Sequence, residues 1–130
     1  MSHRVQTGGC LCGAVRYEVR GEPTVSGLCH CATCRKLTGS IVSATANWPL
    51  DRFRMEGELR TFARRSFCPT CGSRLFFLTD EDVEVFLGTL DAAPNGIGPA
   101  VEGWAVRREH WLPPVNGTVR YDENPPAGSD

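Results

Sequence analysis

The residues of this chain whose types and spacing could do chemistry are its seven cysteines, and they come in three groups. Cys10-Leu11-Cys12 sits between glycines. Cys29-His30-Cys31-Ala32-Thr33-Cys34 packs three thiols into six residues, and Cys68-Pro69-Thr70-Cys71 adds a C-x-x-C pair followed by glycine. Thiolates are strong zinc ligands: four close a tetrahedral site, whereas three leave a position for water or substrate. Seven divides as four plus three. In one division Cys10, Cys12, Cys68 and Cys71 form the closed site and Cys29, Cys31 and Cys34 the open one. In the other, Cys31 and Cys34 join Cys68 and Cys71, and three sulfurs are left spare. The first uses every thiol and is favoured; both predict at least one bound zinc.

An open site with three thiolates has blunted Lewis acidity, because the ligands cancel the charge of the ion. It is a poor generator of hydroxide. It suits a fourth, soft sulfur and favours that sulfur's ionised form. The chemistry expected of Cys29, Cys31 and Cys34 is therefore that of a bound thiol, which is catalysis at sulfur.

Other side chains flank the cysteines. Arg35, Lys36, Arg64, Arg65 and Arg74 could meet an anionic substrate, or could be ordinary surface charge. Thr33, Thr38 and Ser40 could bond to thiolates or serve as caps and turns. His30 could be a fourth ligand, a proton carrier, or a neighbour pointing away; strand alternation favours the last. His3 and His110 have no motif around them. Trp48, Phe67, Phe76, Phe77 and Trp104 read as core.

The elements that must position these groups are short. Ala14 to Arg20 alternates as a half-buried strand, and Gly21-Glu22-Pro23 ends it. Val25 to Leu28 continues as a strand into the triplet. Residues 31–37 predict one or two helical turns stopped by Gly39. Residues 41–46 read as a strand buried on both sides, 50–56 as a helical turn after Pro49, and 59–62 as a strand. Residues 75–78 and 83–87 form two strands joined by a turn over 79–82. Residues 92–100 are a loop, 104–106 a last strand, and 123–130 a disordered tail. Residues 1–6 read as a lead-in. About seven short antiparallel strands with little helix make a mainly β fold stapled by zinc, in one domain over residues 1–122.

Composition narrows the classes. A 41% apolar, 22% charged chain of 130 residues with a formal charge of −1 is an ordinary globule, not a nucleic-acid binder acting through bulk charge. No apolar run nears the roughly 20 residues that span a bilayer. The opening Met1 to Gln6 lacks the apolar core of a signal peptide, so a cytoplasmic location is expected. Disulfides are disfavoured there, and an odd cysteine count cannot pair fully.

Three stretches carry a resemblance. They are Gly9-Cys10-Leu11-Cys12-Gly13-Ala14-Val15-Arg16-Tyr17, then Cys29 to Lys36, then Arg65-Ser66-Phe67-Cys68-Pro69-Thr70-Cys71-Gly72-Ser73, with a weaker echo in Trp111 and Gly117 to Tyr121. Together they resemble the glutathione-dependent formaldehyde-activating enzyme family. The resemblance implies a β-tent domain. It implies a structural zinc on Cys10, Cys12, Cys68 and Cys71 and a catalytic zinc on Cys29, Cys31 and Cys34. The implied reaction is condensation of formaldehyde with glutathione, a carbon–sulfur lyase chemistry. Two other functions use the same residues: a zinc-stapled binding module without catalysis, and methionine-sulfoxide-reductase-type redox chemistry. The latter needs a free cysteine, which the favoured division does not leave.

Overall fold

The computed structural model describes residues 4–126, and its interior is the contact between two sheets of unequal size. The smaller has three antiparallel strands in the order β1-β2-β5: β1 is Val5–Gly9, β2 Arg16–Arg20 and β5 Phe53–Glu56. The larger has eight: β3 (Val25–Cys29), β4 (Ser43–Pro49), β6 (Arg60–Phe62), β7 (Arg65–Phe67), β8 (Arg74–Leu78), β9 (Asp82–Phe86), β10 (Val101–Gly103) and β11 (Val119–Arg120). Their order is β11-β10-β3-β4-β9-β8-β7-β6. One α-helix, α1 (Ala32–Thr38), interrupts the strands. The chain is mainly β, as the short alternating segments predicted.

Alternation explains the interior. Val15, Tyr17 and Val19 point inward from the small sheet, while Ala46, Trp48, Leu75, Phe76, Val83 and Val85 point inward from the large one. Tyr17 and Phe53 both meet Phe76 edge-on, each with ring centroids 5.0 Å away. Of the aromatic residues expected in the core, Trp48 and Phe76 are fully buried. Phe67 and Phe77 are half-buried, with Arg74 and Arg65 stacked over them. Trp104 is also half-buried, and its Nε1 donates to Asn124.

Several elements differ from expectation. The lead-in is a strand, β1, because its backbone pairs with β2 along its whole length. Gly8 is needed there: a Cβ would lie 2.5 Å from the Tyr17 ring and from the Thr89 carbonyl oxygen. Residues 50–56 are not one helical turn. Leu50–Arg52 is a 3₁₀ turn after Pro49, and Phe53 onward is β5, drawn into pairing by Phe53 and Met55 packing on the core. The strand expected over 41–46 is shifted to β4, where Ala46, Asn47 and Trp48 are buried in succession, so both faces are covered. β6 and β7 form a hairpin whose turn residues, Ala63 and Arg64, both have positive φ. Neither is the Asn or Gly that usually marks such a turn. The strand expected over 104–106 is instead β10, just before it, with a 3₁₀ turn at Ala105–Arg107.

Most pairs are antiparallel, as expected. β10, however, runs parallel to both β3 and β11. Parallel neighbours need long crossovers, and residues 104–118 supply one. Beyond it, the Glu123 carbonyl accepts a hydrogen bond from the Trp104 amide at 2.9 Å. The rest of the expected tail, residues 127–130, lies outside the described residues, as does His3.

Candidate functional site

The structure gathers the seven thiols into two groups. Cys10, Cys12, Cys68 and Cys71 have their sulfurs within 4.8 Å of one another, and so have Cys29, Cys31 and Cys34. Among the described residues no other Cys, His, Asp or Glu joins either group. The division into four and three is therefore the one the fold makes.

The four-thiol group is built from two tight turns. In one, the Val15 amide donates to the Cys10 sulfur at 3.2 Å and Gly13 reverses the chain with φ of 83°. In the other, the Thr70 amide reaches the Cys68 sulfur at 3.4 Å and Gly72 has φ of 79°. Amides aimed at sulfur favour thiolate, and glycine permits the left-handed turn that aims them. Ser73 joins the two turns: its hydroxyl lies 3.2 Å from the Cys71 sulfur and accepts from the Leu11 amide at 3.0 Å. Bonds from Ser73, the largest influence, hold the Cys71 thiol down at about 5. The group thus ties the β1–β2 connection to the β7–β8 connection, and so one sheet to the other.

The three-thiol group lies where β3 runs into α1. Cys29 ends the strand; Cys31 caps the helix, its sulfur accepting from the Cys34 amide at 3.3 Å; Cys34 lies in the first turn. The helix stops at Gly39 as predicted. All three cysteines are half-buried. The Cys34 thiol is held down at about 5. A hydrogen bond from Cys29 is the main cause; burial opposes it, Ser43 and Cys31 assist, and the Arg65 charge adds attraction. The same contact pushes the Cys29 thiol up. An all-sulfur donor set suits soft and borderline cations rather than magnesium or calcium.

His30 points away from the cluster and is fully buried, with Nε2 on Glu102 at 3.0 Å. Thr38 and Ser40 act in turns: the Thr38 hydroxyl donates to the Cys34 carbonyl and accepts from the Ser40 amide, and the Ser40 hydroxyl accepts from the Val42 amide. Thr33, Lys36 and His110 are exposed. Arg35 bonds to Glu109 at 2.7 Å, Arg64 to the Leu78 carbonyl, and Arg65 to the Ala63 carbonyl. Ser43, Ser73 and Glu102 were missed by motif reading. Ser43 is a short polar residue in ordinary surroundings, whereas Ser73 directly follows the Cys68 to Gly72 turn. Glu102 had one visible signal, an acid between Val101 and Gly103 in an otherwise apolar strand.

Fold and site define a two-sheet β protein with two thiol clusters able to hold metal ions. A family model described as glutathione-dependent formaldehyde-activating enzyme matches residues 5–107. The chain belongs to that family. An uncharacterized lyase of Schizosaccharomyces pombe (strain 972 / ATCC 24843) is 33% identical over 75 residues, covering 54% of this chain and 55% of that protein. This chain thus spans about half the length of that curated relative. A crystal structure of a Rhodobacter sphaeroides protein is similar at 28% identity and a TM-score of 0.48, covering 72% of this chain and 91% of the other.

Proposed function

We propose that this protein is a zinc-dependent carbon–sulfur lyase that adds the thiol of glutathione to formaldehyde, or cleaves the adduct. The observation that carries this reading is the convergence of Cys29, Cys31 and Cys34 with no fourth donor in their group among the described residues. In this reading one zinc is structural, on Cys10, Cys12, Cys68 and Cys71, and one is catalytic, on the triplet. Bound there, zinc would supply an open position that accepts a further sulfur and favours its thiolate form.

The chain's own residues prepare that site. Ser43 favours the ionised form of Cys34, and Arg65 adds a positive field that suits an anionic thiol. In the forward direction the glutathione sulfur bonds to the carbonyl carbon, and the thiol proton ends on the new hydroxyl. The reverse breaks that carbon–sulfur bond and returns the proton. Family membership supports the thiol and the aldehyde, and the name of the fission-yeast relative supports a lyase. Seven unpaired cysteines suit a reducing compartment such as the cytoplasm.

Two measurements test the reading together. Protein purified without added zinc should carry close to two zincs per chain, and NMR should show it accelerating exchange between glutathione and formaldehyde. Two zincs with exchange at the uncatalysed rate would favour a zinc-stapled binding module instead. A reproducible single metal would remove the catalytic site.

A further inference from the structure

His30 lies between two thiols of the triplet yet shares no face with them. Cys31, the helix cap, is extended, so the alternation of β3 carries one step past its end and turns His30 away from Cys29 and Cys31. Its side chain is wholly buried, and there Nε2 meets Glu102 Oε1 at 3.0 Å. Burial pushes the Glu102 carboxyl up, but bonds from His30, Thr118, the Val115 amide and Arg120 outweigh it and hold the group at about 2. An ionised carboxylate can only accept, so Nε2 carries the proton and donates. The other ring nitrogen, Nδ1, is buried without a hydrogen-bond partner. The ring's orientation therefore depends on Glu102.

Glu102 in turn gathers the crossover segment. It accepts from the Thr118 hydroxyl at 2.9 Å, the Val115 amide at 3.2 Å and Arg120 Nε at 3.4 Å, and Arg108 Nε lies 3.7 Å away. The backbone adds a tie, since the His30 amide donates to the Gly103 carbonyl at 3.1 Å. In the parallel register Leu28 stands opposite Glu102 and Cys29 opposite Gly103. On the helix side of the triplet, Arg35 is held by Glu109 at 2.7 Å. β10 thus grips the thiol loop through Glu102 and Gly103, and the segment after it grips the helix through Glu109.

We infer that Glu102 and His30 are positioning residues for the three-thiol cluster. The buried pair fixes the rotation of the backbone at Cys29 and Cys31 so that both thiols face Cys34, and it couples that alignment to residues 108–120. This rests on reading the triplet as a metal site. A purely structural pair would loosen the whole fold when broken. A positioning pair loosens one metal and spares the other.

The test is zinc competition between the full-length, zinc-loaded protein and a chromophoric chelator, with Cys31→Ser identifying which metal belongs to the triplet. His30→Leu keeps a buried apolar volume and removes the donor. It should weaken the triplet's metal tenfold or more, which is about 1.4 kcal/mol per factor of ten, and leave the four-cysteine metal unchanged. His30→Gln places an amide N–H where it can reach Glu102 and should restore most of the affinity. Native affinity at both sites in His30→Leu, equal loosening of both, or no rescue by glutamine would each overturn the inference. If His30→Leu does not fold, Glu102→Gln carries the same readout: selective loosening of the triplet supports the inference and native affinity overturns it. A single metal in the native chain would overturn the two-site reading, and this inference with it. Two metals with unchanged affinities in His30→Leu would overturn this inference alone.

Discussion

Phe76 is fully buried and is the ring on which Tyr17 and Phe53 converge from the opposite sheet. Its removal leaves a cavity that β strands hydrogen-bonded on both sides cannot collapse to fill. Phe76→Ala should therefore lower unfolding stability by about 3–5 kcal/mol, read as a shifted midpoint in urea at unchanged slope. Polar residues were harder to judge at this scale. The sequence placed His30 on the face away from its neighbouring thiols, because strand alternation is a local rule. It did not reveal that the face was buried or that Glu102 waited there, since that partner comes from β10.

Between elements, the small sheet meets the segment after β9 through Asp91. Arg16 and Thr7, from β2 and β1, both bond to its carboxylate, and the Asp91 amide donates to the Thr7 carbonyl at 2.9 Å. The Arg16 hydrogen bond is the main cause that holds the Asp91 carboxyl down at about 2, with Thr7 assisting. A group depressed in the folded state contributes stability above its unfolded value, near 3.8, and loses it as pH falls toward 2. Asp91→Asn should thus reduce the fall in melting temperature between about pH 4 and pH 2. The slope should not vanish, because Glu102 is depressed to the same range. The pair is half-exposed, so solvent keeps its contribution small. Elements with local signatures, such as β2, α1 with its Gly39 stop and the β8–β9 hairpin, were legible in the sequence. β1, β5 and the turn that joins β6 to β7 were not. Pairing and packing create the first two, and the third turns on residues with no usual preference for positive φ.

In the molecule as a whole the two clusters occupy different mechanical positions. The four-thiol group joins connections that belong to different sheets, whereas the triplet sits at the end of one strand and the start of a short helix. Cys68→Ser should therefore abolish cooperative folding, as loss of a structural zinc ligand does in small metal-stapled domains. Cys31→Ser should keep the far-ultraviolet dichroism of the native chain and lose one metal per chain by elemental analysis. Equal unfolding of both variants would overturn the distinction between a structural and a catalytic site.

The seven thiols, the three cysteine motifs, the mainly β character and the family were all present in the amino-acid order. Each is carried by residue type and short spacing: thiols two or three apart beside glycine, and alternating apolar residues. Folding in three dimensions settled what spacing cannot encode. It chose which distant pairs of thiols meet, made β10 a parallel neighbour of β3, and put Glu102 against His30. Those contacts join residues far apart along the chain, and only the pairing of distant strands and the burial of the two sheets against each other bring them within bonding distance.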